Sequence, residues 1–157
     1  MIDSLKGNIS ILPLKIDDVS PLCNAFKAAP DDYSRYFTPF QFTPRVLETI
    51  LSTATKDRYN LIRVDERVAG FYMLRGFDEG FQIPTYGVWI SPDFGRLGIG
   101  RLTLDHAIST CRLMGVKELM LKVHPENSVA KNLYEKSGFK RIGFDKKNGN
   151  FIYSRIL

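Results

Sequence analysis

The segment Phe94-Gly95-Arg96-Leu97-Gly98-Ile99-Gly100-Arg101 places three glycines between an apolar run ending at Ile90 and a helical pattern beginning near Leu102. Glycines there leave backbone amides uncovered where a helix N-terminus concentrates partial positive charge. That makes the loop a seat for a phosphate or pyrophosphate. A glycine cluster alone marks a tight turn as readily as a ligand site. No Gly-Lys-Ser/Thr follows it, which argues against a nucleoside triphosphate loop, and the preceding strands lack the βαβ spacing of a dinucleotide fold. Downstream, Asn127, Ala130 and Tyr134 fall along one side of a short helix with Leu133 beside them, because offsets of three and seven share a helical face. On its own, Asn127 reads as a helix N-cap and Tyr134 as an amphipathic core residue. His124, at the end of an apolar run, carries the side chain that exchanges protons near neutrality, and Asp78 and Glu79 are weaker candidates for the same task. A third cluster, Tyr33, Tyr36, Phe37, Phe40 and Phe42, is interspersed with Asp31, Asp32 and Arg35. Aromatic loops of this kind wall substrate pockets, and a carboxylate among them can hold an ammonium group. Phe77, Phe81 and Tyr86 extend such a wall, although core packing is the commoner fate of any one aromatic. The two cysteines and two histidines show no metal-ligand spacing.

The elements that must position these residues follow from periodicity. Residues 9–14 alternate as a first strand. Asp17 or Asp18 caps a helix through Val19, Leu22, Cys23 and Phe26 that ends before Pro30, and Thr43-Pro44 opens a second through Val46, Leu47, Ile50 and Leu51. Residues 59–64 and 68–74 form a hairpin around Asp65-Glu66-Arg67. Residues 81–90 are a fourth strand with Gly87 inside it, a mark of a bulge or a close backbone approach. Leu104, Ala107, Ile108, Cys111 and Met114 give the third helix its apolar face, and Gly115 ends it. Residues 118–124 are a strand with Leu119, Leu121 and Val123 on one face; a short helix over 127–137 and two final strands, 139–144 and 150–156, follow. The expected order is β-α-α-β-β-β-α-β-α-β-β, within a single domain over residues 1–157.

Bulk composition narrows the function classes. The chain of 157 residues, 44% hydrophobic and 25% charged, is sized for one ordinary core. No apolar run approaches the about 18 residues a membrane span needs. The start, Met1-Ile2-Asp3-Ser4-Leu5-Lys6, lacks the basic flank and apolar block of an export signal. Cys23 and Cys111 lie in apolar helical patterns and read as buried thiols in a reducing compartment, so a cytoplasmic location is expected. Residues 1–78 hold ten basic and ten acidic side chains, whereas 79–157 hold twelve against seven, so the whole net charge of +5 falls in the half carrying the glycine loop. Such a field attracts a polyanionic ligand. Nucleic acid is disfavoured, because the basic residues form no helical stripe and no reader motif accompanies them.

This order, with both motifs at their positions, resembles the GNAT superfamily of acyl-CoA-dependent N-acyltransferases. The resemblance covers essentially the whole chain and is most specific from Tyr86 to Phe139. It implies an α/β (α+β) fold: one domain with a mixed, mainly antiparallel seven-stranded sheet flanked by about four helices. It implies acetyl-CoA as co-substrate, no metal, and direct attack by an amine in a ternary complex. In the family, R/Q-x-x-G-x-G/A wraps the coenzyme pyrophosphate; Gly98 and Gly100 match its glycines, whereas Gly95 stands where Arg or Gln is usual and Arg96 is one residue away. The coenzyme contacts implied are Gly95, Arg96, Leu97, Gly98, Ile99, Gly100 and Arg101, the backbone of Val88, Trp89 and Ile90, and Asn127, Ala130, Leu133 and Tyr134 along the pantetheine arm. Tyr134 is the implied general acid for the departing thiolate, and His124 the candidate base. The relatives that acetylate protein N-termini carry glutamate where this chain has Lys122. The expected acceptor is therefore a small-molecule primary amine, a metabolite or amino sugar, held by Tyr33, Tyr36, Phe37 and Tyr86. A non-catalytic acyl-CoA sensor and an acetyltransferase of protein amines are the alternatives, and monomer and homodimer both remain open.

Overall fold

The computed structural model describes residues 6–37 and 39–157; residues 1–5, over which an export signal was sought, lie outside them. Seven strands form one sheet in the order β1-β2-β3-β4-β5-β7-β6, with β1 Ile9–Pro13, β2 Arg58–Val64, β3 Arg67–Arg75, β4 Thr85–Ile90, β5 Glu118–Val123, β6 Lys140–Asp145 and β7 Asn150–Ile156. Every neighbouring pair is antiparallel except β4 and β5. The helices are α1 Val19–Ala28, α2 Asp31–Ser34, α3 Pro44–Thr53, α4 Ile99–Leu113 and α5 Ser128–Lys136. This is the mixed, mainly antiparallel seven-stranded architecture that the family resemblance implies, with five helices described where about four are expected.

Period-2 alternation divides the sheet into two faces, each with its own core. Tyr72, Leu74, Tyr86, Leu119, Leu121 and Val123 pack beneath α4 and α5 with Leu104, Ala107, Ile108 and Tyr134. Phe71, Met73 and Trp89 turn to the opposite face, where α1 and α3 supply Val19, Leu22 and Leu47. The N-cap of α3 forms as expected, with Thr43 Oγ1 accepting from the Val46 amide at 3.4 Å and Pro44 in the first turn. Both cysteines are buried free thiols, and burial pushes Cys111 up to about 11.

Four elements depart from the sequence reading. The fourth strand begins at Thr85 rather than at residue 81, because Pro84 has no N–H for the ladder. The aromatic connection contains the one-turn helix α2, started by Pro30 with Asp31 and Asp32 in its first turn. Helix α4 starts at Ile99, so Ile99 and Gly100 belong to the helix and not to the loop. Met114, placed on the apolar face by periodicity, is the exposed C-cap of that helix.

Candidate active site

The parallel pair β4 and β5 is joined only at Thr85–Met120 and Tyr86–Leu121. Beyond Tyr86 the two strands part, while β4 remains paired with β3 up to Gly70–Ile90. The backbone phase of β4 is set by two bonds: Met120 N–H donates to the Pro84 carbonyl (3.0 Å), and Ser91 N–H donates to the Ala69 carbonyl (2.8 Å). Backbone groups alternate sides along a strand. Those of Val88 and Ile90 therefore face the gap, whereas those of Trp89 face Phe71 in β3. Trp89 is thus corrected as a coenzyme contact. Its ring lies among the α1–α3 core, 5.2 Å from Phe26, and its Nε1–H donates to Ser34 Oγ at 3.1 Å. At the far end of the gap, the Ile90 carbonyl already accepts the Tyr33 hydroxyl at 2.6 Å.

The glycine loop lies at the N-terminus of α4. Arg96 and Gly98 both adopt left-handed backbone, at φ 61° and 80°, and Gly98 is the N-cap with no side-chain cap bond. The first helical bond runs from Leu102 N–H to the Gly98 carbonyl at 3.0 Å. The amides of Ile99, Gly100 and Arg101 precede it and are the orphan donors of a helix start. Gly95 is extended at φ −68°, and a Cβ there would stand 3.4 Å from the Pro92 carbonyl oxygen, so no backbone demand explains the glycine. At Gly100, a Cβ would lie 3.9 Å from Leu133 Cδ2 of α5. The two motifs therefore meet in space.

Asn127 caps α5, its Oδ1 accepting from the Ala130 amide at 3.3 Å. Leu133 and Tyr134 of that helix pack against the β4–β5 core. The Tyr134 ring is 7% exposed and stands edge-on to Tyr86, with centroids 6.5 Å apart. Burial pushes its hydroxyl far above the ordinary tyrosine range, so Tyr134 stays protonated at any working pH. Tyr86 borders the cleft, as foreseen for an acceptor residue, while it is only 3% exposed and its ring is flanked by Tyr72 and Tyr134 on the α4–α5 face.

On the opposite face of the gap lies an open cleft of about 850 Å³. Tyr36, Phe37, Met73, Arg75, Gly87 and Lys122 are among the residues that line it. Gly87 joins cleft and gap, because a Cβ there would come within 2.5 Å of Met73 Cε; the feature foreseen as a bulge or close approach is a close approach. Tyr33 is displaced from its expected role, since its hydroxyl is engaged by Ile90 and it does not border the cleft.

The base candidates fare differently. His124 Nδ1 accepts from the Glu126 amide at 3.1 Å, and its ring stacks on Tyr36 at 4.6 Å. That bond makes His124 a brace of the β5–α5 turn, stacked beside the cleft residue Tyr36. Asp78 is equally committed: the Thr55 hydroxyl (2.5 Å) and the amides of Thr55, Lys56 and Asp57 donate to it and hold its carboxyl down at about 2. Lys122 is bonded to Asp145 at 2.8 Å. Glu79 and Glu118 are the carboxylates bordering the cleft, and Glu118 also accepts from the Ser154 hydroxyl. Sequence reasoning had left out Glu118, Arg75 and Met120; their signal was the shared strand face with Met73 and Lys122. No group of three potential metal ligands occurs among the described residues, and no described helix is long and apolar enough to cross a membrane.

A family model described as "Acetyltransferase (GNAT) family" matches residues 25–139. The chain is 35% identical over 79 residues to the [ribosomal protein bS18]-alanine N-acetyltransferase of Salmonella typhimurium, covering 50% of this chain and 51% of that protein. It is 38% identical over 60 residues to the mycothiol acetyltransferase of Geodermatophilus obscurus, covering 38% of this chain and 20% of the relative. The match thus spans about half of the first relative and a fifth of the second. Among solved structures, the PaiA N-acetyltransferase of Thermoplasma acidophilum in complex with coenzyme A superposes with a TM-score of 0.77 at 20% identity, over 96% of this chain and 99% of that one, an agreement of fold.

Proposed function

The chain belongs to the GNAT acetyltransferase family, and from that premise we propose that it is a cytoplasmic enzyme transferring an acetyl group from acetyl-CoA to a weakly basic primary amine, a small metabolite or amino sugar. The observation that carries the reading is the parting of β4 and β5 beyond Tyr86, with the glycine loop and α5 on one side and the cleft on the other. In this reading the amides at 96–101 hold the pyrophosphate. The backbone of Val88 and Ile90 takes the pantetheine amides, and the Val88 amide polarises the thioester carbonyl. The amine enters through the cleft past Gly87 and attacks directly. Its nitrogen gains the acetyl group as the carbon–sulfur bond breaks, and Tyr134 gives its proton to the departing thiolate. The proton that the acylated nitrogen sheds passes to water in the open cleft, from which the Tyr134 oxygen is reprotonated. The buried thiols Cys23 and Cys111 leave no role for an acyl-enzyme.

The preference for a weakly basic amine follows from what surrounds the gap. Met73, Gly87 and Lys122 stand there, and Asp145 is held by Lys122. With Glu79 and Glu118, the described carboxylates of the cleft, away from Gly87, the nucleophile arrives largely unprotonated in this reading. An amine of pKa about 8 is roughly a quarter free at pH 7.5, whereas a lysine side chain at about 10.4 is only about 0.1% free. That difference favours an amino sugar or an α-amine over a side-chain or polyamine nitrogen.

A second reading, acetylation of a protein N-terminus, is favoured by the likeness to bS18-alanine N-acetyltransferases. Competition for acetyl-CoA between a 2-amino sugar and a peptide beginning with alanine separates the two. Faster transfer to the sugar is expected. Transfer to the peptide alone would replace the first reading with the second.

A further inference from the structure

Two cations border the cleft, Arg75 and Lys122. Lys122 is committed to Asp145, whereas Arg75 forms no ion pair with any described carboxylate. Arg75 is half-buried and closes β3, opposite Thr85 on β4, which in turn pairs with Met120 on β5. The row Arg75–Thr85–Met120 lies one pleat from the row of Met73 and Gly87, where the gap opens; two strand residues span about 7 Å. The guanidinium is braced and not adrift: its Cζ lies 5.5 Å from the Phe40 ring centre, and the Tyr59 hydroxyl lies beside it. A half-buried guanidinium that borders the cleft and has no ion-pair partner among the described residues matches the planar oxygens of a carboxylate or phosphoryl group.

Resting on the acetyltransferase reading above, we propose that the acceptor amine also carries an anionic group, carboxylate or phosphoryl, and that Arg75 binds it and sets acceptor specificity. Glu79 lies on the exposed loop after β3, and Glu118 lies one pleat farther from the gap on β5 and is bonded to Ser154. An acceptor whose nitrogen sits at Gly87 therefore meets Arg75 before either carboxylate. A neutral amino sugar would leave the guanidinium unpaired.

Acetyl-CoA-dependent thiol release with glucosamine, glucosamine 6-phosphate and muramic acid tests this, using the wild type, Arg75→Gln and Arg75→Lys. The wild type is expected to prefer an anionic acceptor, and whichever of phosphate or carboxylate is preferred identifies the group. Arg75→Gln should raise KM for that acceptor about 10- to 150-fold, the range for losing a hydrogen bond to a charged group. It should leave kcat and the KM for glucosamine nearly unchanged, and Arg75→Lys should recover part of the loss. Equal effects on neutral and anionic acceptors, or a wild-type preference for glucosamine, would overturn the assignment. If no amine releases thiol, the activity reading fails separately, and calorimetric titration of the same three amines into the protein–coenzyme A complex decides the rest. Tighter binding of an anionic amine by the wild type than by Arg75→Gln sustains the role of Arg75, and its absence ends it.

Discussion

Helix α4 ends in two glycines of nearly the same conformation, and that symmetry isolates the phosphate-binding role proposed for one of them. Gly98 at its N-terminus has φ 80° and Gly115 beyond its C-terminus has φ 78°, and neither has any atom within 4 Å of where a Cβ would stand. An alanine at either position meets no clash but pays the left-handed penalty, about 1–2 kcal/mol. For a domain of this size, each kcal/mol lowers Tm by about 2–4 °C, so Gly98→Ala and Gly115→Ala should each lose about 2–8 °C. Their coenzyme affinities should differ. If the backbone at residue 98 relaxes from positive φ, the amides of residues 96–101 no longer converge. Loss of one charge-assisted bond of about 1.5–3 kcal/mol weakens binding about 10- to 150-fold. Thermal melts with calorimetric titration of coenzyme A give both quantities. Gly98→Ala should show both losses and Gly115→Ala only the thermal one. Equal thermal losses with coenzyme binding intact in both variants would refute the loop as the pyrophosphate seat.

Other variants probe separate links. Tyr134→Phe, which keeps the packed ring, should lower kcat about 100-fold or more while leaving coenzyme binding and Tm nearly unchanged; a full rate in thiol release would remove Tyr134 as the acid. Gly87→Val puts a side chain where Met73 Cε already lies 2.5 Å from the Cβ position; acceptor KM should rise at least tenfold with coenzyme affinity retained, since the change blocks the cleft side of the gap. Asp78, held at about 2 against an ordinary 3.8, stabilises the fold above the higher value and loses that contribution as pH falls from about 4 to about 2. Asp78→Ala should therefore melt below the wild type at pH 7, and the difference should close through that acid window; a Tm gap constant with pH contradicts this. Gly95→Gln restores the side chain usual in the family at a position with extended backbone and room beside Pro92; tighter coenzyme A binding is expected, and unchanged binding would mean that Arg96 already supplies that contact.

The parts of the site written in local pattern were legible in the sequence. Gly98 and Gly115 bracket α4 because only glycine relaxes into that backbone cheaply, and the offsets of Asn127 and Tyr134 define one helical face. What local pattern lacks is the phase of a strand relative to its neighbours. Alternation shows that Tyr86 and Trp89 point opposite ways, but only the pairing with β3 and β5 decides that Trp89 turns its backbone from the gap and that the Tyr86 ring packs on the α4–α5 face. Long-range bonds were equally invisible. The Tyr33–Ile90 bond joins residues 57 apart, and the bonds that commit Asp78 bridge 21 to 23 residues. Lys122 stands in the sequence only as a departure from glutamate; its partner Asp145 lies two strands away, on β6. His124 illustrates the remaining limit: its residue type suits proton transfer, whereas its bond to the Glu126 amide and its stacking on Tyr36 could not be read from the sequence.

Acetyl transfer itself is the most direct test. Wild-type protein is incubated with acetyl-CoA and a panel of primary amines of graded pKa, and thiol release is measured together with N-acetylated product. The expected result is stoichiometric release and product with the weakly basic amines, at rates whose rise with pH follows each acceptor's own pKa. Coenzyme A binding without thiol release for any amine would contradict the account and make the chain an acyl-CoA-binding module.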